Sequence, residues 1–389
     1  VIRSRHVRLL KTVRSSSSSH DCFGSSGARD LDSAGNGLHP TRVRLAGSME
    51  SHMRYQDFVR LVTVASVLNL VSPCGGVASA QSVSDGDWDL PRLTDGRPDL
   101  QGVWLSNTAT PLQRPPALAG REFLTEDEVA TLRDRARRIF LNGRSAFATP
   151  EGAFFAALNN VETYEAQSTS SSIGMVDVEI TNRTSQVVDP PDGRIPTLTA
   201  AARAREALVD TGWQFKTGPE DLNNFHRCVT TGVPRLGGNF GAGPYTFYQI
   251  VQTPNHLVLV SEAFHDARII PLNDRAPLPE SVRQWNGDSR GRWEGDSLVV
   301  ETKNFSTGSY FRGSSEGLHL VERFTRSGPD TITYRLTFTD PTTWGSSWTA
   351  EIPLKRRDQT IYEFACHEGN VSLVGMLRTA RLEDARDGR

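Results

Sequence analysis

The chain has 389 residues, with 43 Lys and Arg against 45 Asp and Glu and a net charge of −2 at pH 7, a length that holds one large domain or two ordinary ones. Ten of the basic and five of the acidic residues fall within residues 1–80, so the remainder carries 33 basic against 40 acidic side chains, net about −7. An acidic body without a basic stripe argues against nucleic acid and anionic membrane as partners and favours a small-molecule or neutral-polymer substrate.

Residues 1–80 do not read as folded protein. They open on Val1, a non-standard start or the edge of an open reading frame, and pass through the tract Ser15–Ser19 and a glycine- and arginine-rich stretch. From Met53 the pattern becomes that of a secretory signal peptide: Arg54 and Arg60, the apolar run Leu61–Val71, then Ala78-Ser79-Ala80 as a small-residue cleavage site. Cys74 raises the rival reading of a lipoprotein signal, against which Pro73 is a poor neighbour. The expectation is export to the periplasm or the extracellular space after cleavage near Ala80. Nothing beyond Gln81 supplies the ~20 consecutive apolar residues of a membrane span.

Trp88–Trp104 is dense in turn formers and reads as a segment wrapping a later core. Thr125-Glu126-Asp127-Glu128 is a capping box, followed at helical spacing by Val129, Leu132, Ala136, Ile139 and Phe140. A strand over Met175–Ile180, a turn at Asp189-Pro190-Pro191-Asp192-Gly193 and a short helix over Ala200–Leu208 follow. From Tyr245 the period changes to two. Tyr245–Thr253, Leu257–Phe264, Ser297–Asn304, Leu318–Arg326, Thr331–Thr339, Thr349–Leu354 and Ile361–Ala365 read as strands joined by turn chemistry. The fold expected is mainly β (α+β): an antiparallel meander over 245–389 forming a barrel or sandwich, with a region of short helices and long loops over 81–244 packed on it as one integrated domain. Trp285, Trp293, Trp344 and Trp348 would line its core or a pocket.

Two of the four cysteines, Cys22 and Cys74, lie in the leader, leaving Cys228 and Cys366. In an exported chain the simplest state is one disulfide closing a long loop; two buried thiols, or a catalytic Cys366 beside His367, are the alternatives.

The blocks Pro91–Trp104, Asn182–Pro196, Arg227-Cys228, Ile250–Pro271, Arg283–Phe305, His319–Arg326 and Ala365–Asn370 together resemble a family of exported bacterial proteins, common in soil bacteria, of unestablished function. The resemblance covers about residues 88–381, most specifically Trp285–Phe305. It implies export and one integrated domain, and it carries over no catalytic residue, substrate or cofactor.

Two serine-hydrolase patterns stand close together. Gly287-Asp288-Ser289-Arg290-Gly291 fits G-x-S-x-G, which elsewhere marks a nucleophile on a strained turn, and Gly295-Asp296-Ser297-Leu298 spells GDSL. No helix follows the first, so an α/β-hydrolase is not expected and a plain hairpin turn over Gly287–Gly291 stands beside the catalytic-loop reading; the second reads as a hairpin turn through Glu294-Gly295-Asp296. A serine nucleophile needs a base and a group to orient it. His265 and His319 are the preferred bases for Ser289, with Asp288, Asp266 or Glu322 as orienter, and His367, Glu368, Arg268 and Arg323 are further candidates. On a strand, Asp266 and Arg268 share one face and His265 the other, while His319 shares a face with Arg323 and not with Glu322. His265, His319 and His367 with Glu322 or Glu368 also supply zinc-type ligands, and the turns at Asp288, Asp296 and Asp340 suit calcium, though no H-E-x-x-H spacing is present. No phosphate loop or dinucleotide fingerprint occurs, so no organic cofactor is expected. The leading expectation is an exported hydrolase of a small ester or lactone with Ser289 as nucleophile. The alternatives are a non-catalytic small-ligand-binding β-barrel, a lyase or isomerase using a histidine and an acid, and a metal-dependent hydrolase.

Overall fold

A computed structural model describes residues 88–388, apart from 142–144, 146–148, 166–177, 210–217, 231, 234–245, 274 and 310. The expected leader and signal peptide and the first residues of the expected strand Met175–Ile180 lie outside the described residues. Those described belong to one compact unit spanning 81–389.

The protein is mainly β. Among the described residues the strands are β1 (Gly102–Leu105), β2 (Val187–Asp189), β3 (Phe247–Gln252), β4 (His256–Ser261), β5 (Ala267–Pro271), β6 (Asp288–Glu294), β7 (Ser297–Lys303), β8 (His319–Gly328), β9 (Thr331–Thr339) and β10 (Trp348–Arg357). The helices are α1 (Glu126–Leu141), α2 (Pro150–Leu158), α3 (Ala200–Val209) and α4 (Val371–Asp387). All ten strands form one antiparallel sheet in the order β5-β4-β3-β1-β10-β9-β8-β7-β6, with β2 pairing beside β1 on β10. Two meanders, β3 to β5 and β6 to β10, are thus joined through β1. Gly102–Leu105 was expected to wrap the core; instead it is a central strand whose Trp104 and Leu105 are buried. Two strands of the N-terminal region, β1 and β2, thus belong to the sheet.

Alternation decides which side chains go inward. Leu320, Glu322, Phe324 and Arg326 of β8 and Ile332, Tyr334, Leu336 and Phe338 of β9 face the core, where Trp344 and Trp348 pack with Phe338. Trp293 packs half-buried against this core, while Trp285 is 39% exposed. A second apolar cluster, including Leu118, Val129, Leu132 and Phe154, lies under α1 and α2. The capping box of α1 forms as expected: Glu128 N donates to Thr125 Oγ1 (3.3 Å) and Thr125 N to Glu128 Oε2 (2.8 Å).

Three expectations need correction. Ile361–Ala365 is not a strand; only Phe364 bridges, to Ala263. β6 was not expected, because Asp-Ser-Arg-Gly-Arg-Trp-Glu looks like loop, yet it pairs with β7 in unbroken register from Asp288↔Lys303 to Glu294↔Ser297. A closed barrel is not what the hydrogen bonds make: β5 and β6 are the two edges of the sheet, with no ladder between them. The edges nevertheless approach. A Cβ on Gly291 of β6 would lie 2.5 Å from Leu272 Cδ2 and 3.1 Å from Ile270 Cγ2, so glycine is the residue that admits this contact.

Candidate functional site

The inward face of β8 carries a fully buried carboxylate that an apolar core would not predict. Glu322, between Leu320 and Phe324, is 0% exposed. A buried carboxylate is costly by several kcal/mol unless paired and hydrogen-bonded, on the order of what the whole fold has to spare. Its partner comes from the far edge of the sheet. Arg268 of β5 donates from Nη1 to Glu322 Oε1 (2.9 Å) and from Nη2 to Oε2, a two-pronged fork. The same guanidinium donates to Ser289 Oγ of β6 (2.9 Å) and Thr302 Oγ1 of β7 (2.6 Å), so one side chain ties β5 to β6, β7 and β8. The Tyr334 hydroxyl closes the group by donating to Glu322 Oε1 at 2.5 Å.

The electrostatics follow. Burial opposes the Arg268 charge, but Glu322 outweighs it through Coulomb attraction and hydrogen bonding, and the guanidinium pKa is raised. Burial first, and then the adjacent Glu322 charge, push the Tyr334 phenol well above its ordinary range, so it stays protonated as a donor.

Beside this network is a cavity of about 30 Å³, walled by Tyr248, Ser261, Asp266, Arg268, Asn286, Glu322 and Tyr334 among others. Asp266 Oδ2 accepts from Asn286 Nδ2 (2.8 Å) and, at 3.5 Å, faces the Thr230 hydroxyl, which in turn lies 2.8 Å from Asn286 Oδ1. The Ser261 hydroxyl is buried in the cavity wall without a hydrogen-bond partner among the described residues. Thr230 is two residues from Cys228, whose disulfide to Cys366 is formed (Cα–Cα 5.7 Å) and closes 138 residues. The expected disulfide thus lies two residues from a neighbour of Asp266.

The sequence-derived candidates are distributed as follows. Ser289 lies in β6, not on a turn; Gly287 (φ 68°) makes the turn before it. Among the described residues the Ser289 hydroxyl meets Arg268 and Thr302 (3.0 Å), and no imidazole. Asp288 is tied to Arg290 Nη1 (2.5 Å) and Leu278 N (2.9 Å), so it orients no base. His265 stands exposed on the β4–β5 turn with φ 53°. His319 is on the outer face of β8, its Nε2 2.8 Å from Glu301 Oε1. Arg323 shares that outer face and pairs with Glu294. His367 and Glu368 are exposed on the turn before α4. Asp266, Arg268 and Glu322 are the members that come together, and the expected shared face of Asp266 and Arg268 is what the cavity wall shows. Gly295-Asp296 forms the β6–β7 turn, and Ser297 Oγ meets Thr325 Oγ1 at 2.7 Å.

Among the described residues no three His, Cys, Asp or Glu side chains gather as metal ligands would. Asp296 pairs with Arg92, and Asp340 is engaged by Ser314, Thr342 and Thr343. No described helix is long and apolar enough to cross a membrane.

Sequence reasoning missed Tyr334, Thr302, Asn286, Thr230 and Ser261. A signal was present for one part of the network: Glu322 and Tyr334 both occupy the inward parity of their strands, where a glutamate needs a partner. No protein-family model and no curated protein matches this chain.

Proposed function

We propose that the protein binds a small polar molecule in the cavity between the sheet edges, through Asp266, Ser261 and the wall formed by Arg268, Glu322 and Tyr334. The observation that carries this reading is the pairing of a buried ionic network with a cavity whose Ser261 hydroxyl has no partner among the described residues. A paired buried ion seldom adds net stability over apolar side chains of equal volume, and convergent polar groups in a concavity are the usual form of a ligand site. The nearness of β5 and β6 supports a barrel-like arrangement with the site near one end. The disulfide favours an oxidising compartment and hence export.

The serine-hydrolase reading lacks support at its base. The group nearest the Ser289 oxygen is a guanidinium, which donates and does not accept protons. Ester or lactone cleavage by Ser289 would need His265 or His319 to reach it, and each stands elsewhere.

The test is a thermal-shift panel of small amines, carboxylates, amides and polyols against the wild-type chain and a cavity-filling Ser261→Leu variant of unchanged circular dichroism. A true ligand at ten times its Kd adds about 1.4 kcal/mol to the wild type and nothing to the variant. A panel in which no compound separates the two proteins refutes the reading.

A further inference from the structure

We propose that the cavity takes a small cationic head group, a primary ammonium, on the Asp266 carboxylate with Ser261 as a second acceptor. This rests on the binding reading above and names its ligand class.

The charges facing the cavity decide the sign. Arg268 carries one positive charge, and Glu322 and Asp266 one negative each. The Arg268 and Glu322 charges are spent on each other in a fork, with Tyr334 donating to Glu322 as a neutral phenol. Among the described residues Asp266 has no such counter-ion: its hydrogen-bond partners, Asn286 and Thr230, are uncharged and both lie at Oδ2. Oδ1 accepts no hydrogen bond from the described residues. Arg268 senses the Asp266 charge, but its ion pair is with Glu322.

Among the described residues the local sum is one negative charge, unbalanced, beside a hydroxyl that is 9% exposed and without a partner. An anion entering here meets Asp266 head-on. A neutral amide meets the hydrogen-bonding need but leaves the carboxylate uncompensated. An ammonium supplies three donors and the missing charge at once. Size agrees, since about 30 Å³ admits one ammonium-sized group and excludes a sugar ring or an acyl chain. The ligand therefore inserts a terminal amine and leaves its remainder at the mouth.

The probe is methylammonium chloride, with acetamide and sodium acetate as comparison ligands at matched ionic strength, followed by saturation-transfer NMR and thermal shift on the wild-type chain. Methylammonium is expected to bind, and Asp266→Asn to weaken it by at least about tenfold, the value of one charged hydrogen bond. Should Asp266→Asn melt early, Ser261→Leu supplies the same readout by filling the site. Methylammonium signals that persist in both variants overturn the proposal. Binding of acetate or acetamide that Ser261→Leu abolishes, with no methylammonium binding, overturns the ligand class and leaves the binding reading standing. If none of the probes distinguishes wild type from Ser261→Leu, and the wider panel does not either, both fall.

Discussion

Replacing Arg268 with Met tests whether the buried network is there for stability or for the site. The substitution keeps most of the aliphatic stem and removes the charge. Glu322, 0% exposed, keeps Tyr334 (2.5 Å) and a long contact to Thr302 (3.5 Å) but loses both prongs of its ion pair. Breaking a buried pair in this way is worth about 3–5 kcal/mol, which for a chain of this size lowers the melting midpoint by roughly 6–20 °C. Removing Glu322 as well, as Arg268→Met with Glu322→Leu, eliminates the unpaired charge. It leaves the Tyr334 hydroxyl unmet, at about 1–3 kcal/mol, so the informative protein is the triple variant with Tyr334→Phe. Ser289 and Thr302 keep each other at 3.0 Å. The triple variant is expected within about 1–2 kcal/mol of wild type in urea denaturation, because apolar replacement of a buried pair is commonly neutral or better. Its stabilisation by a cavity ligand should be weaker than that of the wild type, Asp266 and Ser261 remaining in place while the rest of the wall is lost. A triple variant as unstable as Arg268→Met alone would show that the network contributes net stability by itself, and the inference from its burial to a binding role would then fail.

Three further outcomes follow from the same geometry. Tyr334 has its folded pKa raised well above 10 by burial and by Glu322; its contribution to stability is complete below the unfolded value near ~10 and declines as pH rises beyond it. Tyr334→Phe should accordingly flatten the alkaline limb of the stability curve, and tyrosinate absorbance that appears in full before unfolding would contradict this. Cys228→Ser with Cys366→Ser releases a loop of 138 residues, lowering stability by about 5 kcal/mol in the chain-entropy model; the change is read by urea denaturation, and an equal urea midpoint would remove the disulfide from the account. Ser289→Ala should leave any p-nitrophenyl ester cleavage at the wild-type rate while destabilising by about 1–3 kcal/mol through the unmet Arg268 Nε–H; loss of cleavage with an unchanged melting curve would restore the nucleophile.

What could be read from sequence divides along physical lines. The strands β3, β4 and β7 to β10 alternate because one face meets the core and the other meets water, and that pattern was legible. β6 was not, since a polar strand declares itself only through its partner, and its neighbour β7 supplies the ladder. β1 was hidden by its turn-forming flanks. The glycines around Ser289 looked like the hinges of one exposed turn but serve two unrelated needs. Gly287 takes φ 68° with Lys303 O pressed against it, and Gly291 leaves room for Leu272. At the site, strand parity put Asp266 with Arg268, and Glu322 opposite His319, as found. That Arg268 reaches Glu322 across 54 residues was not legible, because the contact depends on two sheet edges meeting, and no local pattern encodes that meeting.

The meeting of those edges bears on how the site works. Edge strands present unpaired backbone groups and are the parts of a sheet least held in place. Here β5 and β6 exchange no ladder hydrogen bonds, and side chains do the joining: Ile270 and Leu272 against Gly291, and Arg268 to Ser289, Thr302 and Glu322. Asp266 lies two residues before Arg268, on the same side of the chain, with Asn286 and Thr230 as its supports. A ligand held by Asp266 is therefore held by the segment that also carries the guanidinium. A backbone ladder between β5 and β6 would fix their separation whatever occupied the cavity. A forked ion pair on a flexible stem, helped by the apolar contacts at Gly291, joins the edges without such a ladder.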